Sequence, residues 1–243
     1  MKQKIIGFCW QHLLLIISLW IMTFGVAVCV RSMLGCSTIS VLPYVFENAG
    51  VKGLVPAFTI GQYTYAMNGI FVLLQFLILR KQFDWVQLFQ LVIGFLFGYL
   101  LDVNMAITSW ILPTAIWQKV IAQILGCTIL GTGIALEVRC GSVTMPGEGL
   151  PVALSRVLKK EFPKIKICVD TTLVVLSVIA SFIFFHAWQW HIVGIGTLFA
   201  MFYVGIVVKF VSKHLRWFDC VLAYRPGFRR YIFGLARLIY RKK

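Results

Sequence analysis

Gly25-Val26-Ala27-Val28-Cys29-Val30-Arg31 recurs 108 residues later as Gly133-Ile134-Ala135-Leu136-Glu137-Val138-Arg139. Each copy is an apolar run that ends on an arginine, and at the same offset Leu42-Pro43 meets Leu150-Pro151 without a gap. Six of the nineteen aligned positions from 25 to 43 are identical. Further along, Gln62 and Thr64 fall on Asp170 and Thr172, and after a short length difference Trp85 falls on Trp190. Self-similarity at a fixed long period marks an internal repeat. Each unit holds three apolar stretches, and an odd number of crossings makes the second unit enter a membrane from the side opposite to the first. The expected fold is therefore two inverted repeats about an axis in the membrane plane.

Composition supports a membrane reading. The 243 residues are 60% hydrophobic and 13% charged, with a mean hydropathy of +0.89, which is more apolar surface than one soluble core buries. A spanning helix needs about 20 residues, and stretches of that kind fall at 8–30, 58–79, 86–102, 117–138, 167–186 and 190–209. They must be helical, because backbone polar groups in lipid have to pair within their own segment. The predicted architecture is an all-α polytopic membrane domain over 1–210, with repeats at about 10–102 and 118–210. Each repeat carries an irregular turn and a short amphipathic helix after its first span. Residues 211–243 form a basic amphipathic tail.

Charge sets the expected orientation. With the N-terminus inside, twenty of the 23 Lys and Arg residues lie on the cytoplasmic side, and only Arg31, Lys52 and Lys119 lie outside; such a bias predicts both termini in the cytoplasm. Cys220 should then react with a membrane-impermeant thiol reagent only after cells are opened, and labelling in intact cells would reverse the orientation. Ten of the basic residues lie from Lys209 onward, beside the last apolar stretch. Their expected partners are anionic lipid headgroups of the bilayer, not nucleic acid. A cytoplasmic protein docking on this tail is the alternative.

The run Arg139-Cys-Gly-Ser-Val-Thr-Met-Pro-Gly-Glu-Gly-Leu-Pro151 holds three glycines, two prolines and a carboxylate between apolar stretches, so it cannot be helical throughout. Pro151 suits the first turn of a helix over 152–162, where its missing N–H costs nothing. Arg31 to Pro43 makes the matching run. Free N–H groups at helix starts favour anions, so Arg31, Ser40, Arg139 and Glu148, with the intramembrane polar residues Gln62, Asp102 and Asp170, are the candidate solute-binding set. The competing reading makes the turns simple reversals and Arg31 and Arg139 headgroup anchors. Gly94 and Gly98, and Gly194 and Gly196, are expected to permit close packing.

The seven cysteines are scattered singly and the four histidines form no i, i+4 pair. No metal site and no cofactor are expected. No Ser/His/Asp set, phosphate loop or paired carboxylate occurs at a convincing spacing, so an enzyme is not expected; a membrane-embedded lipid enzyme is the remote alternative.

Leu34-Gly-Cys-Ser-Thr-Ile-Ser-Val-Leu-Pro-Tyr44, Thr59-Ile-Gly-Gln62, Asn68, Gln75, Gly98-Tyr-Leu-Leu-Asp102, Gly141, Pro146, Glu148 and Val193-Gly-Ile-Gly-Thr-Leu-Phe199 occur in order. This series resembles the bacterial YczE/YyaS/YitT family of integral membrane proteins over residues 10–210. Where relatives carry Gly-Pro-x-Asp in the second turn, this chain has Pro146-Gly-Glu-Gly, which moves the carboxylate to Glu148. The resemblance implies a multi-pass protein of the bacterial cytoplasmic membrane and supplies no substrate. The expected function is a permease-like protein that binds or moves a small, anionic solute between its repeats. A membrane regulator acting through the tail and the 139–166 segment is the alternative.

Overall fold

The computed structural model describes residues 2–80, 83, 85–140 and 144–215. Eight α-helices follow in order: α1 (Lys2–Arg31), α2 (Val41–Val51), α3 (Ile60–Leu79), α4 (Phe89–Ile107), α5 (Ile116–Cys140), α6 (Pro146–Leu158), α7 (Phe162–Phe185) and α8 (Ile195–His214). Among the described residues there is no strand. Six segments are long and apolar enough to cross a membrane: Trp10–Arg31, Ile60–Leu79, Phe89–Trp110, Ile116–Cys140, Lys164–Phe185 and Ile195–His214. The two short helices, α2 and α6, come after the first and fourth spans, α2 preceded by an irregular turn over 32–40, while the expected turn before α6 falls largely on 141–143, outside the described residues. The basic tail, from residue 216 on and including Cys220, lies outside the described residues.

The sixth span lies later than expected, at Ile195–His214 against 190–209, and three further boundaries differ, each for a local reason. The third span does not stop at Asp102 but runs on to Trp110, because Asn104 is buried and donates to Thr23 Oγ1 at 2.7 Å. The fifth begins at Lys164, earlier than its charges suggest, because Lys166 meets carboxylates in the interior. The short helix of the second half starts at Pro146, not after Pro151. Pro146 takes the first-turn role and Pro151 sits inside the helix, where its missing N–H leaves the Gly147 carbonyl without its i→i+4 donor.

α1 and α5 form the centre: 67% of the α1 span is buried, against 22% of the α8 span. They approach closely because glycines line their contact. A Cβ on Gly25 would lie 2.8 Å from Gly126 O and 2.8 Å from Leu130 Cα; one on Gly133 would lie 2.7 Å from Met22 N. The remaining helices dress this pair, α4 against α1 and α8 against α5. α2 packs on α7, α6 packs on α3, and α3 and α4 pack on each other. Gly61 and Gly98 make that last approach, a Cβ on Gly98 falling 2.5 Å from Gly61 O.

Candidate functional site

Charge inside this apolar bundle is concentrated between α5, α6 and α7. Lys166 Nζ lies 3.0 Å from Glu148 Oε1 and 3.1 Å from Asp170 Oδ1. Asp170 is i+4 from Lys166 on α7, so the two share one helix face. Glu148 stands in the first turn of α6, where a carboxylate complements the helix dipole. Asp170 lies six residues into its span, about 9 Å along the helix axis. The Thr38 side chain, from the irregular turn before α2, faces Asp170. Ile39 of that turn lies against Gly147. The first irregular turn, distant in sequence, thus reaches α6 and α7.

Glu137, near the end of α5, borders the cluster. Its Oε1 accepts from Met145 N at 2.9 Å, while Oε2 is buried without a hydrogen-bond partner among the described residues. On the other side of α6, Gln75 Nε2 donates to Gln90 Oε1 at 3.0 Å and faces Pro146 O at 3.4 Å. Gly149 leaves room for these amides, since a Cβ there would lie 2.8 Å from Gln75 Oε1.

A second polar group sits at the opposite end of α3. Asp102 accepts from Gly61 N at 2.8 Å and from Thr59 Oγ1 at 2.6 Å. Glu47 Oε1 accepts from Ile60 N at 3.1 Å, and Thr59 and Gln62 form a capping box. The free N–H groups of this helix start are thus claimed by protein groups. Gln62 is exposed and spent on the cap, so it does not join its repeat partner Asp170.

Burial raises the Glu47 carboxyl above the ordinary glutamate range, helped by Asp102 and opposed by the Ile60 hydrogen bond and Arg31. A raised acid contributes stability below its unfolded value that is lost as pH rises through its folded value. Glu47→Gln, whose amide oxygen still accepts from Ile60, should therefore be more stable than the parent above that window and equal to it in acid. Thermal melts across pH in detergent test this; a gap that widens in acid would refute the assignment.

Arg31 and Arg139 are not brought together. Arg31 Nη2 donates to Met105 O at 2.8 Å and Arg139 Nη2 to Ser212 O at 2.5 Å. Each guanidinium holds a carbonyl in the last turn of the third span in its own half, α4 or α8, where a cation also complements the helix dipole. Replacing either with Ala should cost about 1–2 kcal/mol, and Lys should restore part of it; equal melting of Arg31→Ala and the parent would mean the carbonyl contact is idle.

Ser40 is buried at the start of α2, its hydroxyl without a hydrogen-bond partner among the described residues. Gly194 and Gly196 serve the first irregular turn: Gly196 N donates to Leu34 O at 2.8 Å, and a Cβ on Gly196 would lie 2.9 Å from Gln123 Cδ. Gly35 turns there with φ +127°, a conformation that glycine alone adopts freely.

A family model described as a family of unknown function (DUF6198) matches residues 9–213. The chain belongs to this family. No curated protein and no solved structure matches the chain. The DUF6198 region takes in α8 almost whole and both polar groups. Within it, the sequence pointed to Glu148 and Asp170 but missed Lys166, Thr38 and Glu47. Lys166 was counted only as a cytoplasmic charge, although its i, i+4 spacing to Asp170 was a readable signal. Thr59-x-x-Gln62 was likewise a readable capping box. Nothing in the sequence joined Thr38 to Asp170.

Proposed function

We propose that the protein is a permease-like membrane protein that holds a small solute where its two halves meet. The observation that carries this reading is the equivalence of the central contact: Gly25 rests on Leu130 and Gly133 on Met22, and 133 − 25 and 130 − 22 both equal the repeat offset of 108. The partners exchange in the same way, α2 lying on α7 and α6 on α3, which supports two inverted repeats. In such folds solute sites lie at the repeat interface, beside broken or short helices. The charged cluster lies on α6 and α7, and Ile39 of the first half packs against Gly147 beside it, which supports such a position.

The nature of the solute follows from the charges around it. Glu148 and Asp170 face one ammonium, and both arginines are engaged with carbonyls. This favours a solute with an amine or another hydrogen-bond donor over the anion expected from Arg31 and Arg139. Both termini in the cytoplasm and a place in the bacterial cytoplasmic membrane belong to the same proposal, as does kinship with the YczE/YyaS/YitT group.

A thermal-shift screen of the detergent-purified protein, against small amines, carboxylates, phosphates and neutral polyols, tests the reading. The expected result is saturable stabilisation by one amine class, lost in Glu148→Gln. No stabilisation by any class, together with a protein that co-purifies in fixed ratio, would replace it with the regulator reading.

A further inference from the structure

Two thiols face each other across the central contact. Cys29 of α1 and Cys127 of α5 bring their sulfurs to 3.7 Å, a hydrogen-bond contact in which either can donate. Both side chains are fully buried, and both are free thiols. The backbones allow this because Gly126, next to Cys127, lies against α1; a Cβ there would lie 2.8 Å from Cys29 N and 2.7 Å from its Sγ. The pair joins one half of the protein to the other, its members 98 residues apart in sequence. An apolar setting alone keeps a buried thiol inert. Cys127 has more than that around it. Gln123 Nε2 donates to Gly196 O at 2.9 Å and lies 3.5 Å from Cys127 Sγ, so the sulfur meets an amide N–H on one side and the Cys29 thiol on the other. These are two donors for a thiolate. Cys36 and Cys140 instead have oxygen neighbours, Ile192 O and Ser18 Oγ, each at 3.7 Å.

We propose that Cys29 and Cys127 form a redox site that closes to a disulfide between the two halves on reaction with a hydroperoxide, hydrogen peroxide being the smallest of that class. Cys127 attacks a peroxide oxygen. The O–O bond breaks, the departing oxygen takes the Cys127 proton, and Cys127 sulfenic acid and water form. The Cys29 sulfur then attacks the Cys127 sulfur; an S–S bond forms, the S–O bond breaks, and the hydroxyl leaves with the Cys29 proton as a second water. Two electrons pass from the sulfurs to one peroxide, and the balance needs no other reactant. A neutral oxidant suits the site, because Ala200, Tyr203 and Val204 enclose the pair and a charged one would be costly to bring in. Cys29 lies in the last turn of α1, where local opening is easiest, and this is the route by which peroxide reaches it. The tie clamps α1 to α5. It stands apart from the transport reading, because it forms whether or not the protein moves a solute.

The test exposes the full-length protein in nanodiscs to hydrogen peroxide, removes the peroxide, alkylates the remaining thiols in SDS without reductant, and maps the peptides by mass spectrometry. The expected result is a linked Cys29–Cys127 peptide that accumulates while the protein stays monomeric, with Cys36 and Cys140 recovered as alkylated thiols. Cys29→Ser should stop at the sulfenic acid of Cys127, captured by dimedone added with the SDS, and Cys127→Ser should leave Cys29 a thiol. Cys168 is exposed and reports that peroxide was present in excess. A treatment that oxidises Cys168 completely yet leaves Cys29 and Cys127 as thiols, or carries them to sulfinic acids without a link, would overturn the proposal. Links of equal yield from either sulfur to Cys36 or Cys140 would overturn it as well, and sulfenic acid on Cys29 in Cys127→Ser would overturn the assigned order of attack. The linked peptide is read from the parent protein, so the test holds even where a variant does not fold.

Discussion

Lys166→Met is expected to lower the stability of the protein by about 3–5 kcal/mol, the usual cost of removing one member of a buried ion pair. The loss comes less from the missing attraction than from what remains. Glu148 and Asp170 are left as two carboxylates in an interior with 14% and 9% of their side chains exposed, and they repel each other. Neutralising both should therefore recover most of the deficit, so that Lys166→Met/Glu148→Gln/Asp170→Asn melts above Lys166→Met alone. Unfolding in detergent followed by tryptophan fluorescence measures both. If Lys166→Met costs under about 1 kcal/mol, the value of a solvated surface pair, the cluster is open to water and cannot serve as an enclosed site.

The second large effect is expected at the α1–α5 crossing. Gly25→Ala and Gly133→Ala each place a methyl group against facing backbone, Leu130 in one case and Met22 in the other. Backbone cannot rotate away as a side chain can, so the two central helices must separate, and each change should cost about 3 kcal/mol, the upper end for overpacking. Gly69 and Gly205 have nothing within 4 Å of an added Cβ. Alanine there should raise stability by up to about 1 kcal/mol through helix propensity. Melting temperatures of the four variants should split by sign. Similar losses at Gly25 and Gly133 are expected from the equivalence of their contacts; a loss at only one of them would break that equivalence.

Much of the architecture was legible because lipid leaves the backbone few options. Six apolar stretches had to be helices, and the Gly25 and Gly133 runs already placed a short helix after the first and fourth spans. Errors fell where a polar residue was read as a membrane boundary. Asp102 and Lys166 both looked like span ends, because charge is costly in lipid; one is paired with the start of α3 and the other with two carboxylates. Pro151 misled for a similar reason, its role as helix starter being filled by Pro146 five residues earlier.

The site was legible in composition but not in geometry. Glu148 and Asp170 stood out as isolated carboxylates, yet their connection passes through Lys166 and across to Thr38 of the other half. Such contacts depend on which faces of α2, α6 and α7 turn inward, and one sequence carries little of that information in spans that are apolar all round. Arg31 and Arg139 were the most conspicuous pair in the repeat. Their symmetry was real in the contacts they make, each on the closing carbonyl of a third span, and those contacts do not converge.

The clasp at the start of α3 has a mechanical consequence. Glu47, Thr59 and Asp102 tie α2, α3 and α4 through hydrogen bonds to successive N–H groups, and Gly61 against Gly98 lets two backbones touch. The corresponding helices of the second half, α7 and α8, share a long Thr171 Oγ1 to Met201 Sδ contact at 4.0 Å and turn most of their surface outward. Strain applied to the bundle is therefore divided unequally. The first half transmits it as a stiff plate, and the second yields like a hinge leaf, with lipid rather than protein as the medium that resists its displacement.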